Sequence, residues 1–340
     1  FLDKFKKMLD CVKDYNLPVV LGGSGFSASP YEILEYLKAD FGITGPGEVA
    51  FPVFLKLWES NRLDARIING WDYGLDDNLE MLRAKEIEYN RYVENDGIVG
   101  FSTHVGCSNG CPYCIEAKKP VYYRGIPDVI KEIESLTNKG YHNFHLCDSE
   151  FNEDLEYSKK FCKTIIKKSF DFKWTLYMKP YPYDEELFEL LSKSHAYLIT
   201  LSVDSDKKIQ AGNNYSYNDL EKIIKYCKKY DIEIAIDLLT GYPDEPLQST
   251  QEVIEFFRKN RPKTVGINFY YRLFRNTELT VLIDRNPVMQ KKLTRLYAKE
   301  ESCVIPIFYS RYSKKDIEEL ICGDDLFAIP GITPGVNYQQ

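Results

Sequence analysis

No stretch of this chain approaches the roughly 18 uncharged apolar residues of a membrane-crossing helix. The N-terminus likewise lacks the basic, apolar and small-residue succession of a secretory signal. The sequence therefore reads as soluble and cytoplasmic. Positive charge is not in excess: acids outnumber bases by 51 to 44, for a net charge of −7. Unguided nucleic-acid binding draws on a basic face, so neither nucleic acid nor membrane is an expected partner. There is no internal repeat and no low-complexity tract. Nor is there a disulfide framework, because nine cysteines in 340 residues, an odd number, do not match the dense bridging of small secreted domains.

What is present is globular. Apolar residues make up 44% and charged residues 28%, and the length suits about two domains. Over residues 1–60, helical periodicity at Leu2, Phe5, Leu9 and Val12 precedes a short apolar strand, 18–21, closed by Gly22-Gly23. A helix with Pro30 at its start, a strand over 41–44 and a helix over 48–58 follow. This alternation predicts a parallel α/β layer with only two strands, and further strands are expected upstream of Phe1. Residues 61–96, polar and weakly periodic, read as a linker. From Gly97 to about 280, strands at 98–103, 143–146, 173–178, 196–203, 233–239 and 264–271 alternate with helices at 127–138, 154–168, 184–193, 217–230 and 249–260. That is a (β/α)6 run, shorter than the ~250 residues of an eight-unit barrel. Residues 281–340 read as a mainly helical extension.

Three of the nine cysteines sit within eight residues, in Cys107-Ser108-Asn109-Gly110-Cys111-Pro112-Tyr113-Cys114. Three thiolates on one loop suit a [4Fe–4S] cluster with one iron left open. Zinc normally takes four protein ligands, and no fourth Cys or His stands at usable spacing. An iron–sulfur site is thus favoured over zinc or unliganded cysteines. His104 is expected to face the core or pack beside the loop, and Gly106 and Gly110 to let the loop turn tightly. Cys147, Cys162 and Cys227 read as core thiols.

A C-x3-C-x2-C cluster after the first strand of such a run resembles the radical S-adenosylmethionine (SAM) superfamily, over about residues 97–279. The resemblance implies that the open iron chelates the amino and carboxylate groups of SAM, whose reductive cleavage gives a 5′-deoxyadenosyl radical. It implies an electron donor such as flavodoxin or ferredoxin. Tyr113 fills the aromatic position against the adenine. Glu150 and Asp148 are candidates to hold the SAM ammonium, although Asp148 or Ser149 could instead cap the next helix. Ser202 to Asp206 is similar to the family's Gly-Val-Glu-Ser-Gly segment, with Asp204 where Glu is usual and Asp206 where Gly is usual; the shorter carboxylate reaches less far. Gly241 and Pro243 match the family's Gly-x-Pro-x-Glu turn beside SAM, which ends here in Glu245. Arg272 and Arg275 could meet a carboxylate or lie exposed. Tyrosines at 177–183 and 270–271 could line a substrate pocket or pack.

The N-terminal segment resembles the last third of a cobalamin-binding Rossmann-like domain, through Gly22, Gly23 and Ser24 and then Gly45, Gly47 and Glu48. In that family the glycine pair admits the nucleotide tail of cobalamin. The family's Asp-x-His-x-x-Gly motif is absent from this chain. Together the two resemblances imply a cobalamin-dependent methyltransferase acting on an unactivated carbon or similar weak nucleophile of a small molecule or peptide. A radical SAM enzyme with a vestigial or differently used cobalamin domain, catalysing rearrangement, cyclisation or demethylation, is the alternative. A non-catalytic metal-binding module is the remote one.

Overall fold

The computed structural model describes residues 2–75, 83, 87–94, 97–295 and 306–329. The N-terminal unit begins with α1 (Leu2–Val12), which leads into β1 (Val20–Leu21). Then come α2 (Pro30–Leu37), β2 (Phe41–Thr44), α3 (Ala50–Glu59) and β3 (Ile67–Asn69). The three strands are parallel in the order β1-β2-β3. β3 corrects the sequence reading, because it lies inside the segment taken as a linker and gives the layer a third strand. Its apolar core is two residues long, too short for a periodicity to register. Phe26, Ile33, Leu34 and Leu37 form one small core here, and Ile43, Ala50, Phe54 and Ile68 another.

The larger unit is a parallel sheet whose strands follow sequence order. These are β4 (Val99–Phe101), β5 (Asn143–Leu146), β6 (Lys173–Met178), β7 (Ala196–Asp204), β8 (Glu233–Leu239) and β9 (Thr264–Asn268). The connecting helices are α4 (Ile126–Thr137), α5 (Leu155–Lys168), α6 (Glu185–Lys193), α7 (Tyr217–Lys229) and α8 (Leu247–Asn260). All of these were legible from the sequence to within a few residues. Apolar faces of helices and sheet fuse into one core around Trp174, Phe144, Phe161 and Phe257. Side-chain caps start α5 and α6: Asp154 accepts from Tyr157 N, and Asp184 from Leu187 N. The cap of α5 is therefore Asp154, and neither Asp148 nor Ser149 takes that role.

Among its described residues the tail also carries strands, which the reading as a mainly helical extension did not foresee. β10 (Tyr271–Arg272), β11 (Leu293–Arg295) and β12 (Ile307–Tyr309) form an antiparallel sheet in the order β10-β12-β11. α9 (Glu278–Asp284) packs against it, α10 (Lys314–Ile321) packs into the main core, and β13 (Phe327–Ala328) adds a seventh parallel strand beside β9. β11, β12 and β13 went unread in the sequence. Cys303 lies outside the described residues. Among the described residues no helix is long and apolar enough to cross a membrane.

Candidate active site

The cysteine loop is gripped at its base. His104–Val105 pairs antiparallel with Tyr122–Tyr123, so the intervening residues form one closed excursion. Inside it, Lys119 N donates to Cys107 O at 3.0 Å and Lys118 N to Asn109 O at 2.9 Å. Gly106 is obligatory, since its φ is +94° and a Cβ there would stand 1.9 Å from Pro120 O. Gly110 has no such constraint; its N–H instead donates to Asn213 Oδ1 at 3.1 Å. A hydrogen-bond network holds the loop, in which Ser108 N and Oγ donate to Glu153 at 3.0 and 2.6 Å. Lys179 Nζ reaches both Glu153 Oε2 (2.8 Å) and Ser108 Oγ (3.0 Å). Asn213, Glu153 and Lys179 went unread in the sequence, because nothing local marks a residue that acts across 26 to 103 positions.

Cys107 is buried and Cys111 and Cys114 are half-buried. Burial pushes the Cys111 thiol up to about 12 and raises Cys107 and Cys114 as well. Thiols so placed ionise when a cationic centre compensates them. Two N–H groups already point at sulfur: Asn213 Nδ2 at Cys111 Sγ (3.5 Å) and Glu116 N at Cys114 Sγ (3.4 Å). Among the described residues no three His, Cys, Asp or Glu side chains converge on a single metal ion. Ligands of a four-iron cluster bind different irons and need not converge. The donor set fits a cluster better than zinc.

The loops after β5 and β7 bring the other candidates alongside. Asp148 accepts from Thr103 N (2.7 Å), Thr103 Oγ1 and His104 N (3.3 Å), and stands 3.1 Å from His104 Nδ1. Its carboxylate is committed to the segment after β4. Glu150 is different. It is more than nine-tenths buried, and its Oε2 has no partner. Burial, opposed by Lys179 and reinforced by Glu153, Asp204 and Asp237, lifts its carboxyl to about 8. Such an orphaned acid fits an ammonium ligand.

Tyr113 is half-buried and donates its hydroxyl to Asp204 Oδ1 at 2.8 Å, its ring 5.0 Å from that of Tyr271. Burial raises Asp204 to about 7 despite that hydrogen bond. Asp206 caps the short helix Lys207–Gly212, accepting from Lys208 N and Ile209 N. That helix leads directly to Asn213. Ser202 is half-buried on β7. Gly241 (φ +83°) and Pro243 form a turn closed by Glu245, whose carboxylate accepts from Gly241 N (2.7 Å), Tyr242 N (3.0 Å) and Ser205 Oγ.

A cavity of about 670 Å³ lies between the two units. Gly23, Ser24, Gly45, Gly47 and Glu48, all at the carboxyl ends of β1 and β2, line one side, with Trp71. Cys114, Glu116, His104, Cys147 and Ser149 line the other. Gly22 stands behind the wall, its absent Cβ facing Ile43 O. Cβ atoms at Gly23 and Gly47 would meet nothing within 4 Å, so these glycines leave the cavity open. Ser27 ties the two glycine loops together, its Oγ donating to Gly23 O (2.9 Å) and accepting from Gly45 N (3.0 Å). Cys147 is exposed and lines the cavity, which corrects its reading as a core thiol; the half-exposed Gly100 beneath it leaves it room. Cys162 and Cys227 are core thiols. Arg275 pairs with Glu32 of the N-terminal unit at 2.5 Å, at the edge of the same cavity.

Residues 101–257 match the radical SAM superfamily. Among curated proteins, the chain is 23% identical to tryptophan 2-C-methyltransferase of Streptomyces laurentii, over 80% of this chain and 59% of the relative. It is 27% identical to ribosomal protein uS12 methylthiotransferase RimO of Clostridium botulinum, over 63% of this chain and 49% of that protein. It thus spans between half and three-fifths of these relatives. Among solved structures, the radical SAM methyltransferase TsrM of Kitasatospora setae, with tryptophan and aza-SAM bound, superposes with a TM-score of 0.84 at 19% identity. That superposition covers 99% of this chain and 77% of that one. The same enzyme with cobalamin and a [4Fe–4S] cluster bound gives 0.84 over 98% and 79%. At these identities the likeness shows a shared fold.

Proposed function

From a chain that carries a radical SAM domain, we propose a cobalamin-dependent radical SAM methyltransferase acting on a weakly nucleophilic atom of a small molecule. The observation that carries this reading is the shared cavity: glycine loops at the strand ends of one unit and the cysteine loop of the other open into a single space. Ligands of open α/β sheets bind outside the carboxyl ends of the strands, where Gly23, Gly45 and Gly47 stand. When bound, the cluster, SAM and cobalamin supply the redox and methyl-carrying chemistry.

The chain's own residues bind and orient. Cys107, Cys111 and Cys114 hold the cluster, and Glu150 accepts from the SAM ammonium. The Asp204–Tyr113 pair and the turn at Gly241 and Pro243, which meet around Tyr271, would take the nucleoside. Asp148 plays a supporting part, fixing Thr103 and His104 at the foot of the cysteine loop. A low-potential electron donor of the flavodoxin or ferredoxin type completes the system. The relatives support the reading through their printed activities, tryptophan C-methylation above all.

The test is anaerobic incubation of the cluster-loaded protein with cobalamin, reductant and methyl-deuterated SAM in a small-molecule extract. The expected product carries the label in a new methyl group and disappears in Cys111→Ala. SAM turnover with no labelled product, in protein shown to hold both cofactors, would contradict methyl transfer.

A further inference from the structure

Among the described residues lining the cavity between the two units, two carry a fixed positive charge, Lys119 and Arg275. Arg275 is neutralised by Glu32. Lys119 is not. Its neighbour Lys118 pairs with Glu278 at 2.8 Å, whereas no carboxylate of the described residues comes within ion-pairing distance of the Lys119 ammonium. Glu48 and Glu116 line the same cavity, and neither pairs with it.

The place of this ammonium is set from both units. Lys119 N donates to Cys107 O at 3.0 Å, so the side chain starts from the cysteine loop. Its Nζ lies over the Trp71 ring, 5.9 Å from the centroid. Trp71 belongs to the N-terminal unit and lies directly on a glycine loop, since a Cβ at Gly45 would stand 2.5 Å from its Nε1. Tyr122 stacks on the same indole, ring centroids 6.2 Å apart. A ring at that distance steers an ammonium but does not replace a counter-ion. A half-buried lysine without an acid, bordering a space of about 670 Å³, suits an anionic group of whatever fills that space.

The cofactor assigned to this cavity, cobalamin, carries neutral amides around its corrin ring and one anionic group, the phosphodiester of its nucleotide tail. We propose that Lys119 pairs with this phosphodiester, so that the loop holding the cluster also grips the tail and the chain selects complete corrinoids over those without a nucleotide. The proposal rests on the cobalamin-dependent reading and adds a specificity-determining residue to it.

The test is absorbance titration of the anaerobically prepared, cluster-loaded protein with cobalamin and with cobinamide, which keeps the corrin ring and lacks the phosphodiester and its base. Lys119→Gln is expected to weaken cobalamin binding roughly tenfold, the worth of one charge-assisted hydrogen bond, and to leave cobinamide binding nearly unchanged. Lys119→Arg, which keeps the charge, should retain the wild-type preference. Added salt should erode cobalamin binding in wild type more than in Lys119→Gln. Unchanged cobalamin affinity in Lys119→Gln, or equal weakening of both corrinoids, as a packing role on Trp71 would give, overturns the proposal. Loss of SAM binding with cobalamin undiminished also overturns it and assigns the ammonium to the SAM carboxylate. A wild-type protein that holds its cluster, binds SAM and takes neither corrinoid contradicts the cobalamin reading itself, and the proposal with it.

Discussion

Glu150 is a carboxyl that the folded chain keeps buried with one oxygen unsatisfied. Its pKa of about 8 lies above the unfolded value near ~4.3. The folded state thus binds its proton more tightly, so the contribution to stability is greatest at low pH and is lost as pH rises towards and through 8. Glu150→Gln removes that penalty, which is on the order of a few kcal/mol at pH 8.5. Thermal unfolding of the ligand-free variant is expected at a higher temperature than wild type at pH 8.5, with a smaller gain at pH 6 and little difference near pH 4, below the unfolded value. The same substitution should weaken SAM binding about tenfold or more, since it removes a charged acceptor. A variant that is no more stable at pH 8.5 means that Glu150 already has a partner. Asp148 marks the limit of sequence reading at this scale. Its position beside Glu150 made the two equivalent, and only the fold reveals that its oxygens serve Thr103 and His104.

At the scale of elements, the cysteine loop depends on supports that its own sequence does not contain. Lys179 and Glu153 are both nearly inaccessible to solvent and pair at 2.8 Å. Removing one partner of a buried pair strands the other, at a cost of about 3–5 kcal/mol. Lys179→Met is expected to lower the urea midpoint of the cluster-free protein accordingly and to shorten the lifetime of the assembled cluster. An unchanged midpoint would mean that the pair does not carry the loop. Gly106→Ala forces a contact against the Pro120 carbonyl that cannot relax without opening the base of the loop. Iron content after anaerobic reconstitution should therefore fall well below wild type while far-ultraviolet circular dichroism is retained. The main helices and strands were legible because each repeats its period over several residues. β3, β11, β12 and β13 were not, being fixed by the sheets they join rather than by a period of their own.

At the scale of the whole molecule, the sequence carried the metal loop and the glycine loops as separate signals some 60 residues apart. Their meeting around one cavity follows from the packing of two parallel sheets and could not be read from spacing. The central claim is that this cavity holds cobalamin next to a cluster. Gly47 tests it cleanly, since its absent Cβ faces open space and its φ is compatible with a side chain. The decisive measurement is iron and cobalamin per chain, by metal analysis and visible absorbance, in the anaerobically prepared protein and in Gly47→Leu. About four irons and one cobalamin in wild type, with the irons kept and the cobalamin lost in Gly47→Leu, is the expected result. Cobalamin retained undiminished in Gly47→Leu, or absent from the iron-replete wild type, would contradict it.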